Sequence, residues 1–354
     1  MKNIQLAMLL VAILGVNSSY AFKLDPFSKP DSLGLYKKKF SEPIHERLTI
    51  TAINTAQIPD SLKKDNVFLS EVVRGARWND DPLGIVKKRP NEALVYLKDS
   101  CRESRNIDQS YDMYYRTHCG DMQFLHAMAS KKNEDAGTTS ELINMWAEFS
   151  YRVAVGDIDK DLRFKSIGKE LETRSAELFN DKMTDNGRYR MNWQPEWLFA
   201  ADCNRSINLG EFPTKLKCKD VNNQYSEQTI QNIALGSLLH ILQDSFSASH
   251  TLRENSVLNT SQISGAGKIK RFGLYNAQKG GTHRIADSNI EDKYEHKDLS
   301  LNDLSARLIE LVVDQRVSGQ DNWSEAKKTI EKAFEISNPS EEPDDIGYGV
   351  TSKR

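Results

Sequence analysis

The sequence predicts an all-α fold, formed by a single helical domain with long loops. Apolar residues recur at helical spacing along much of the chain, and signals for strands are sparse. Of the 354 residues, 38% are hydrophobic and 28% are charged, which is typical of a globular protein and argues against a disordered or fibrous chain. The length fits one large or two small domains. We find neither an internal repeat nor a clear domain boundary, so we predict one domain.

Residues 1–21 are predicted to be a secretory signal peptide. Lys2 gives a positive start, residues 4–16 are apolar, and Ser19 and Ala21 are the small residues that precede a cleavage point. The apolar run is too short to cross a hydrocarbon layer of ~30 Å, and no later stretch of the sequence is long and apolar enough. We therefore expect a secreted or periplasmic protein whose folded domain covers residues 22–337.

Three stretches of the domain carry clear helix signals. A Thr-x-x-Glu capping box at residues 138–141 predicts the start of a helix. The apolar residues that follow it at helical spacing are Leu142, Trp146, Phe149 and Val153. The stretches 226–247 and 304–312 show the same spacing. Loops are predicted at about 78–92, 184–225 and 255–300, and prolines and acidic residues predict a disordered tail over residues 338–354.

The charge balance bears on the class of partner. Lys and Arg number 48 against 50 Asp and Glu, for a formal net charge of −2. The chain therefore lacks the basic excess of a dedicated nucleic-acid-binding protein.

Four cysteines fit a pair of disulfides. Cys101, Cys119, Cys203 and Cys218 are an even number in a chain predicted to be exported to an oxidising compartment. Proximity along the chain favours the pairs Cys101–Cys119 and Cys203–Cys218. Metal-binding thiolates are the alternative, but the sequence contains no CxxC pair.

The strongest chemical signal is a histidine and an aspartate four residues apart. His240 and Asp244 project from one face of a predicted helix, so that an imidazole and a carboxylate could bind one divalent ion. His250, ten residues after His240, would reach a neighbouring ion better than the same one. The alternative is that His240 is a buried core histidine and Asp244 its hydrogen-bonding partner.

Other histidines and acids enlarge this set. His283 and Asp287 repeat the spacing, Asp80 follows Trp78 by two residues, and His118 stands beside Cys119. Imidazole together with carboxylate, without thiolate, suits zinc. Each could instead be a surface or turn residue if taken alone. His126, on an apolar segment, is predicted to be a core residue or to support the site without binding an ion.

The order of these motifs resembles the zinc-dependent phospholipase C and S1/P1 nuclease superfamily. In chain order the motifs are His45, Trp78-x-Asp80, His118-x-x-Asp121, His240-xxx-Asp244-x5-His250 and His283-xxx-Asp287. They cover residues 45 to about 290. The segment 120–129 is most similar to the secreted bacterial zinc phospholipase C branch.

The resemblance implies three zinc ions in a helical domain. By position, the first ion would be held by Asp80, His118, His240 and Asp244. The second would be held by His250, His283 and Asp287. Asp244 would bridge to a third, completed by His45 and the mature N-terminal residue. The family commonly begins with Trp a few residues before its first histidine, whereas cleavage after Ala21 would leave Phe22, far from His45.

The resemblance also implies an activity. The expected enzyme is a secreted phospholipase C that hydrolyses phosphatidylcholine-type lipids at a membrane surface to diacylglycerol and a phosphorylated head group. Asp80 would orient or deprotonate the attacking water, and Asp121, Trp78 and Tyr115 are candidates for substrate binding. The alternatives are a single-strand nuclease on the same scaffold and a non-catalytic zinc protein. The near-neutral charge disfavours the nuclease, because phosphate binding normally uses Lys and Arg.

Overall fold

Most of the chain that the structure describes is helical. The computed structural model describes residues 44–82, 113–118, 120–184, 193–200, 203–205, 216–218, 224–254, 257–259, 262–264, 267–274 and 300–344. Helices make up more than half of the residues that the structure describes, which agrees with the predicted all-α class. The predicted signal peptide, residues 1–21, lies outside the described residues.

The described residues form eleven α-helices: α1 (Ile44–Thr55), α2 (Asp60–Lys63), α3 (Asn66–Ala76), α4 (Met113–His118), α5 (Ala136–Val155), α6 (Phe164–Ile167), α7 (Thr173–Phe179), α8 (Pro195–Ala200), α9 (Glu227–Asp244), α10 (Leu301–Ser318) and α11 (Trp323–Ala333). A 3₁₀ turn at Gln123–His126 and a π turn at Asn180–Thr184 complete the helical elements.

Three short antiparallel strand pairs occur within the described ranges. They are β1 (Cys203–Arg205) with β2 (Leu216–Cys218), β3 (Thr251–Arg253) with β6 (Ile269–Phe272), and β4 (Val257–Asn259) with β5 (Gln262–Ser264). Each pair has only three or four residues per strand, so none forms a layer of the core. The β1–β2 register places Cys203 opposite Cys218. Opposite Cα atoms in an antiparallel pair lie at a separation that a disulfide can bridge, so the Cys203–Cys218 bond stays a prediction that this register permits.

The helix starts are explained by capping side chains. Ser226 accepts a hydrogen bond from the backbone N–H of Thr229, which begins α9 where the apolar spacing predicts. Helix α5 begins two residues before Thr138, because the Asp135 carboxylate accepts from the Thr138 N–H and is the cap. Gly156 ends α5 with a φ of 92°, a left-handed conformation that glycine adopts without steric cost.

Helix α9 lies at the centre of the core, between α3 and α5. Its side chains are buried almost all round, as expected of a helix that is covered on every side. Gly75 of α3 and Gly236 of α9 bring the two backbones into contact: a Cβ on Gly75 would lie 2.0 Å from the Ile233 carbonyl oxygen. A Cβ on Gly236 would lie 2.0 Å from the Val72 carbonyl oxygen. This close crossing sets the end of α3, and the turn after it, against the last turns of α9.

An aromatic cluster fills the space between α5 and the segment after α3. Trp78 stacks on Trp146 with ring centroids 5.5 Å apart, and Phe199 packs edge-on against Trp78 at 5.1 Å. The Trp78 indole N–H donates to the Leu198 carbonyl oxygen at 3.0 Å, so its polar atom is satisfied within the core.

The C-terminal segment differs from the prediction over residues 338–344. Disorder is predicted from residue 338, whereas backbone carbonyl oxygens of residues 338–344 accept from the N–H groups of Leu274, just after β6, and of Ala136 and Gly137 at the start of α5. Backbone hydrogen bonds hold this stretch in place although it contains prolines and acidic residues. Amino-acid composition alone does not reveal such pairing. Residues 345–354 lie outside the described residues.

Within the described ranges, no helix has the length and apolar character needed to cross a bilayer.

Candidate metal centre

Seven buried imidazole and carboxylate side chains converge in one cluster at the end of α9. They are His45, Asp80, His118, His126, His240, Asp244 and His250. None is more than 3% exposed. They come from distant parts of the sequence, so the fold itself brings them together.

Helix α9 provides the centre of the cluster. His240 and Asp244 are one turn apart, and the His240 Nε2 lies 3.0 Å from the Asp244 Oδ2. From α1, the His45 ring stacks on His240 with centroids 4.0 Å apart. The His45 Nε2 lies 3.5 Å from the Asp244 Oδ1 and 3.7 Å from the Asp80 Oδ2. Asp80 reaches this point because the α3–α9 crossing fixes the turn that carries it.

His126 lies inside the cluster, not behind it. Its Nδ1 is 3.1 Å from the Asp244 Oδ2, 3.6 Å from the Asp80 Oδ1 and 3.4 Å from the His240 Nε2. The 3₁₀ turn that carries His126 is followed by Ala127, whose backbone is left-handed with a φ of 49°. The prediction that His126 is a core or supporting residue misses this direct approach. His126 belongs to segment 120–129, the segment most similar to the bacterial phospholipase branch. That similarity is the sequence signal that could have identified His126 as a candidate ligand.

His250 approaches the same carboxylate as His240. Helix α9 ends at Asp244, and the chain turns back through hydrogen bonds such as that from the Ser247 N–H to the Asp244 carbonyl oxygen, 2.9 Å long. The His250 Nδ1 therefore lies 3.5 Å from the Asp244 Oδ2. The expectation that His250 would reach a neighbouring ion better than the same one was drawn from an ideal continuous helix, whereas the chain turns after Asp244; which ion His250 would bind stays a prediction.

Hydrogen bonds to carbonyl oxygens fix which nitrogen carries a proton in two of the rings. The His240 Nδ1 donates to the Ala76 carbonyl oxygen at 2.7 Å, and the His250 Nδ1 donates to the His126 carbonyl oxygen at 2.5 Å. A carbonyl oxygen only accepts, so each Nε2 of a neutral ring carries a lone pair.

Side chains fix the rings of His45 and His118 in the same way. The Gln243 amide donates to Thr49 through its nitrogen and accepts from the His45 Nδ1 through its oxygen, at 2.6 Å. The Thr117 hydroxyl donates to the Met113 carbonyl oxygen and accepts from the His118 Nδ1 at 2.8 Å. Such outward Nδ1–H bonds are typical of metal-binding histidines, whose Nε2 binds the ion.

The ionisation states also suit a metal. Burial lowers the pKa of His45 well below its usual value, and burial lowers the pKa of His126 to about 4, so both rings are neutral at neutral pH. Burial alone would raise the pKa of Asp244, but His250 and His240 hold it well below its usual value. Neutral imidazoles and an ionised carboxylate are the forms that bind a metal.

The donors form three overlapping sets, each with ligand atoms within 4.8 Å of one another. The sets are His45–Asp80–His240, Asp80–His118–His126 and His126–His240–Asp244. The resemblance implied His118 with His240 and Asp244, whereas the structure places His126 there and groups His118 with Asp80 and His126. The structure therefore contains buried histidine and aspartate groups that could hold a metal ion. Since there are three such sets, the cluster could hold more than one ion.

The predicted substrate-binding residues lie elsewhere. Trp78 is 3% exposed and packed in the aromatic cluster, an arrangement that does not support its predicted role in binding substrate. Asp121 is paired with Arg116, whose Nε and Nη2 donate to its two oxygens at 2.7 and 2.8 Å. Helix α4 includes Tyr115, but its side chain lies outside the described part of the chain, so its predicted role stays untested.

Four further predicted site residues also lie outside the described parts of the chain. The second-ion ligands His283 and Asp287 and the cysteines Cys101 and Cys119 belong to ranges that the structure does not describe.

No protein-family model, curated protein or solved structure matches this chain.

Proposed function

We propose that this chain is a zinc-dependent phosphodiester hydrolase, and that its substrates are phosphatidylcholine-type lipids, as in phospholipase C. The observation that carries the proposal is the buried cluster itself. Five imidazoles and two carboxylates from separate segments approach one another: the ligand atoms within each overlapping set lie within 4.8 Å, and the His250 Nδ1 lies 3.5 Å from the Asp244 Oδ2. Buried carboxylates of this kind are normally paired or bound to a metal, and the nitrogen and oxygen donors fit zinc.

The residues of the cluster have separate roles in this proposal. His126, His240 and Asp244 would hold one ion, and Asp80 belongs to both of the other donor sets. Bound zinc supplies Lewis-acid stabilisation of a phosphodiester and acidifies a water molecule. Asp80 lies 3.6 Å from the His126 Nδ1 and is the carboxylate that we assign to orienting the attacking water.

The number of ions is proposed to be three. His250 with His283 and Asp287 would complete a second ion, and His45 with Asp244 would hold a third together with the mature N-terminal residue. The approach of the His45 Nε2 to within 3.5 Å of the Asp244 Oδ1 supports the last of these.

The choice of a lipid substrate rests on the sequence. The segment 120–129 is similar to the bacterial phospholipase branch, and the net charge of −2 does not favour binding to a polyanion. The signal-like residues 1–21 fit an enzyme that is exported and meets phospholipid at a membrane surface.

The experiment offers the purified mature protein a choline phosphodiester and single-stranded DNA, each with and without a chelator. We expect hydrolysis of the phosphodiester that the chelator abolishes and zinc restores. Cleavage of DNA alone would favour the nuclease on the same scaffold. If zinc-loaded protein turns over neither substrate, the hydrolase proposal is wrong.

Two variants link the activity to the cluster. His240→Ala and Asp244→Ala should both abolish hydrolysis, because each removes a donor at the centre of the cluster. His296→Ala is the matched histidine control, since the sequence places His296 between Glu295 and Lys297, outside every motif, and it should keep full activity.

A further inference from the structure

Gly273 lies where two histidine-bearing loops of the candidate metal centre meet. Its backbone N–H donates to the His250 carbonyl oxygen at 2.7 Å, and its own carbonyl oxygen accepts from the Ala129 N–H at 2.9 Å. The His250 Nδ1 in turn donates to the His126 carbonyl oxygen. One residue thus holds the loop that follows His126 and the loop that carries His250.

The contact at Gly273 leaves no room for a side chain. A Cβ there would lie 2.8 Å from the Met128 Cε, 3.0 Å from the Ser249 carbonyl oxygen and 3.1 Å from the His250 carbonyl oxygen. The methionine tip can move, but the two carbonyl oxygens belong to the loop that carries His250. Gly273 is not among the described glycines with positive φ, so close approach is what requires glycine here.

The C-terminal segment supports Gly273 from the other side. We call residues 338–344 the C-terminal strap. The Asp344 carbonyl oxygen accepts from the Leu274 N–H at 3.0 Å, and the Arg271 Nε donates to the Glu341 carboxylate at 2.9 Å. Strap carbonyl oxygens also accept from the backbone N–H groups of Ala136 and Gly137, which begin α5.

We propose that Gly273 is a positioning residue for the metal centre, and that the C-terminal strap holds it in place. The backbone of Gly273 fixes the separation of the His126 and His250 loops, so metal affinity depends on a residue that binds no ion. This inference rests on the proposed metal centre.

The test measures metal binding and stability separately. Zinc affinity is measured by competition with a chelator, the arrangement of ligands by the visible absorption of bound Co²⁺, and stability by the unfolding temperature of the metal-free protein. Gly273→Ala should weaken zinc binding by about tenfold or more and change the Co²⁺ spectrum, as loss of a residue that orients a ligand does.

A matched glycine control separates positioning from general stability. Gly319 ends α10 with a φ of 71° and has no atom within 4 Å of a Cβ built on it. Gly319→Ala should therefore lower the unfolding temperature through backbone strain while leaving zinc affinity and the Co²⁺ spectrum unchanged.

A second variant tests the C-terminal strap without adding a side chain at Gly273. Arg271→Gln removes the pairs with Glu341 and Asp344 and should weaken zinc binding by about two- to fivefold, which is within the contribution of partly exposed ion pairs. Lys268→Gln, which removes an exposed pair with Glu335 just before β6, should have no effect.

The outcomes are distinct. Wild-type zinc affinity and an unchanged Co²⁺ spectrum in Gly273→Ala would overturn the positioning role and leave the metal centre standing. Should Gly273→Ala fail to fold, an unchanged zinc affinity in Arg271→Gln would overturn it. A wild-type protein that binds neither Zn²⁺ nor Co²⁺ would refute the proposed function and, with it, this inference.

Discussion

His126 shows how burial and chemical function combine in a single residue. Apolar neighbours such as Phe124 and Leu125 are fully buried, and they make the segment look like core when the sequence is considered alone. The same burial removes water from the imidazole and lowers its pKa to about 4, which leaves a neutral ring beside the Asp244 carboxylate. A buried histidine and a metal ligand are therefore compatible descriptions of this residue.

His126→Ala should reduce zinc affinity and hydrolysis by about 100-fold or more, because loss of a direct ligand should exceed the cost of losing a supporting partner. Affinity is measured by chelator competition and hydrolysis with a choline phosphodiester, with His296→Ala as the control. Near wild-type affinity in His126→Ala would return His126 to the supporting role that the sequence predicts.

The lowered pKa of His126 also predicts an effect of pH on stability. Below about pH 6.5 the unfolded chain gains a proton on this histidine that the folded protein excludes until about pH 4. The metal-free protein should therefore lose stability as the pH falls through this window, and His126 should account for about 3 kcal/mol of the loss. His45, whose pKa is also lowered, acts in the same direction in this window, and Asp244, whose pKa is lowered too, does so only below about pH 4.

Urea unfolding of the metal-free protein at about pH 7 and at about pH 4.5 measures this effect, with His126→Gln for comparison. The variant should lose less stability on acidification than the wild type. Equal losses in the two proteins would show that His126 already carries its proton in the folded state.

Among the secondary-structure elements, the contact between α3 and α9 is the feature that positions the site. Ser226, the apolar spacing and the His240–Asp244 interval together predict α9 to within a few residues. Sequence periodicity does not show that Gly75 and Gly236 face each other. The periodicity is read from apolar side chains, and glycine has none. Nor does it report the turn after Asp244, which tertiary contacts impose and which returns His250 to the cluster.

Gly236→Ala should destabilise the protein by about 3 kcal/mol or more, because its Cβ would lie 2.0 Å from a backbone oxygen and the helices would have to separate. Urea unfolding measures the change. Gly168→Ala is the control: the nearest atom to its Cβ would be the Asn180 side-chain nitrogen at 3.3 Å, which can move. Equal small effects in both variants would contradict a tight helix crossing at Gly236.

At the scale of the whole molecule, the sequence predicts which side chains come together in the cluster better than it predicts which of them share a donor set. His45, Asp80, His240, Asp244 and His250 are all predicted ligands, and all lie in the cluster. Their grouping depends on loops and turns between helices, where spacing along the chain carries little information about distance. Trp78 illustrates the same point, since its place beside Asp80 in sequence suggested a pocket residue and its ring is buried in the core.

The measurement that tests the central claim most directly is the number of zinc ions bound per chain after exhaustive dialysis, determined by elemental analysis. Since the donor sets overlap, we predict two or more ions in the wild type and a clear loss in Asp244→Ala, whose carboxylate lies close to four of the imidazoles. A wild-type protein that retains no zinc, or an Asp244→Ala protein that retains the full number, would contradict the metal centre described above.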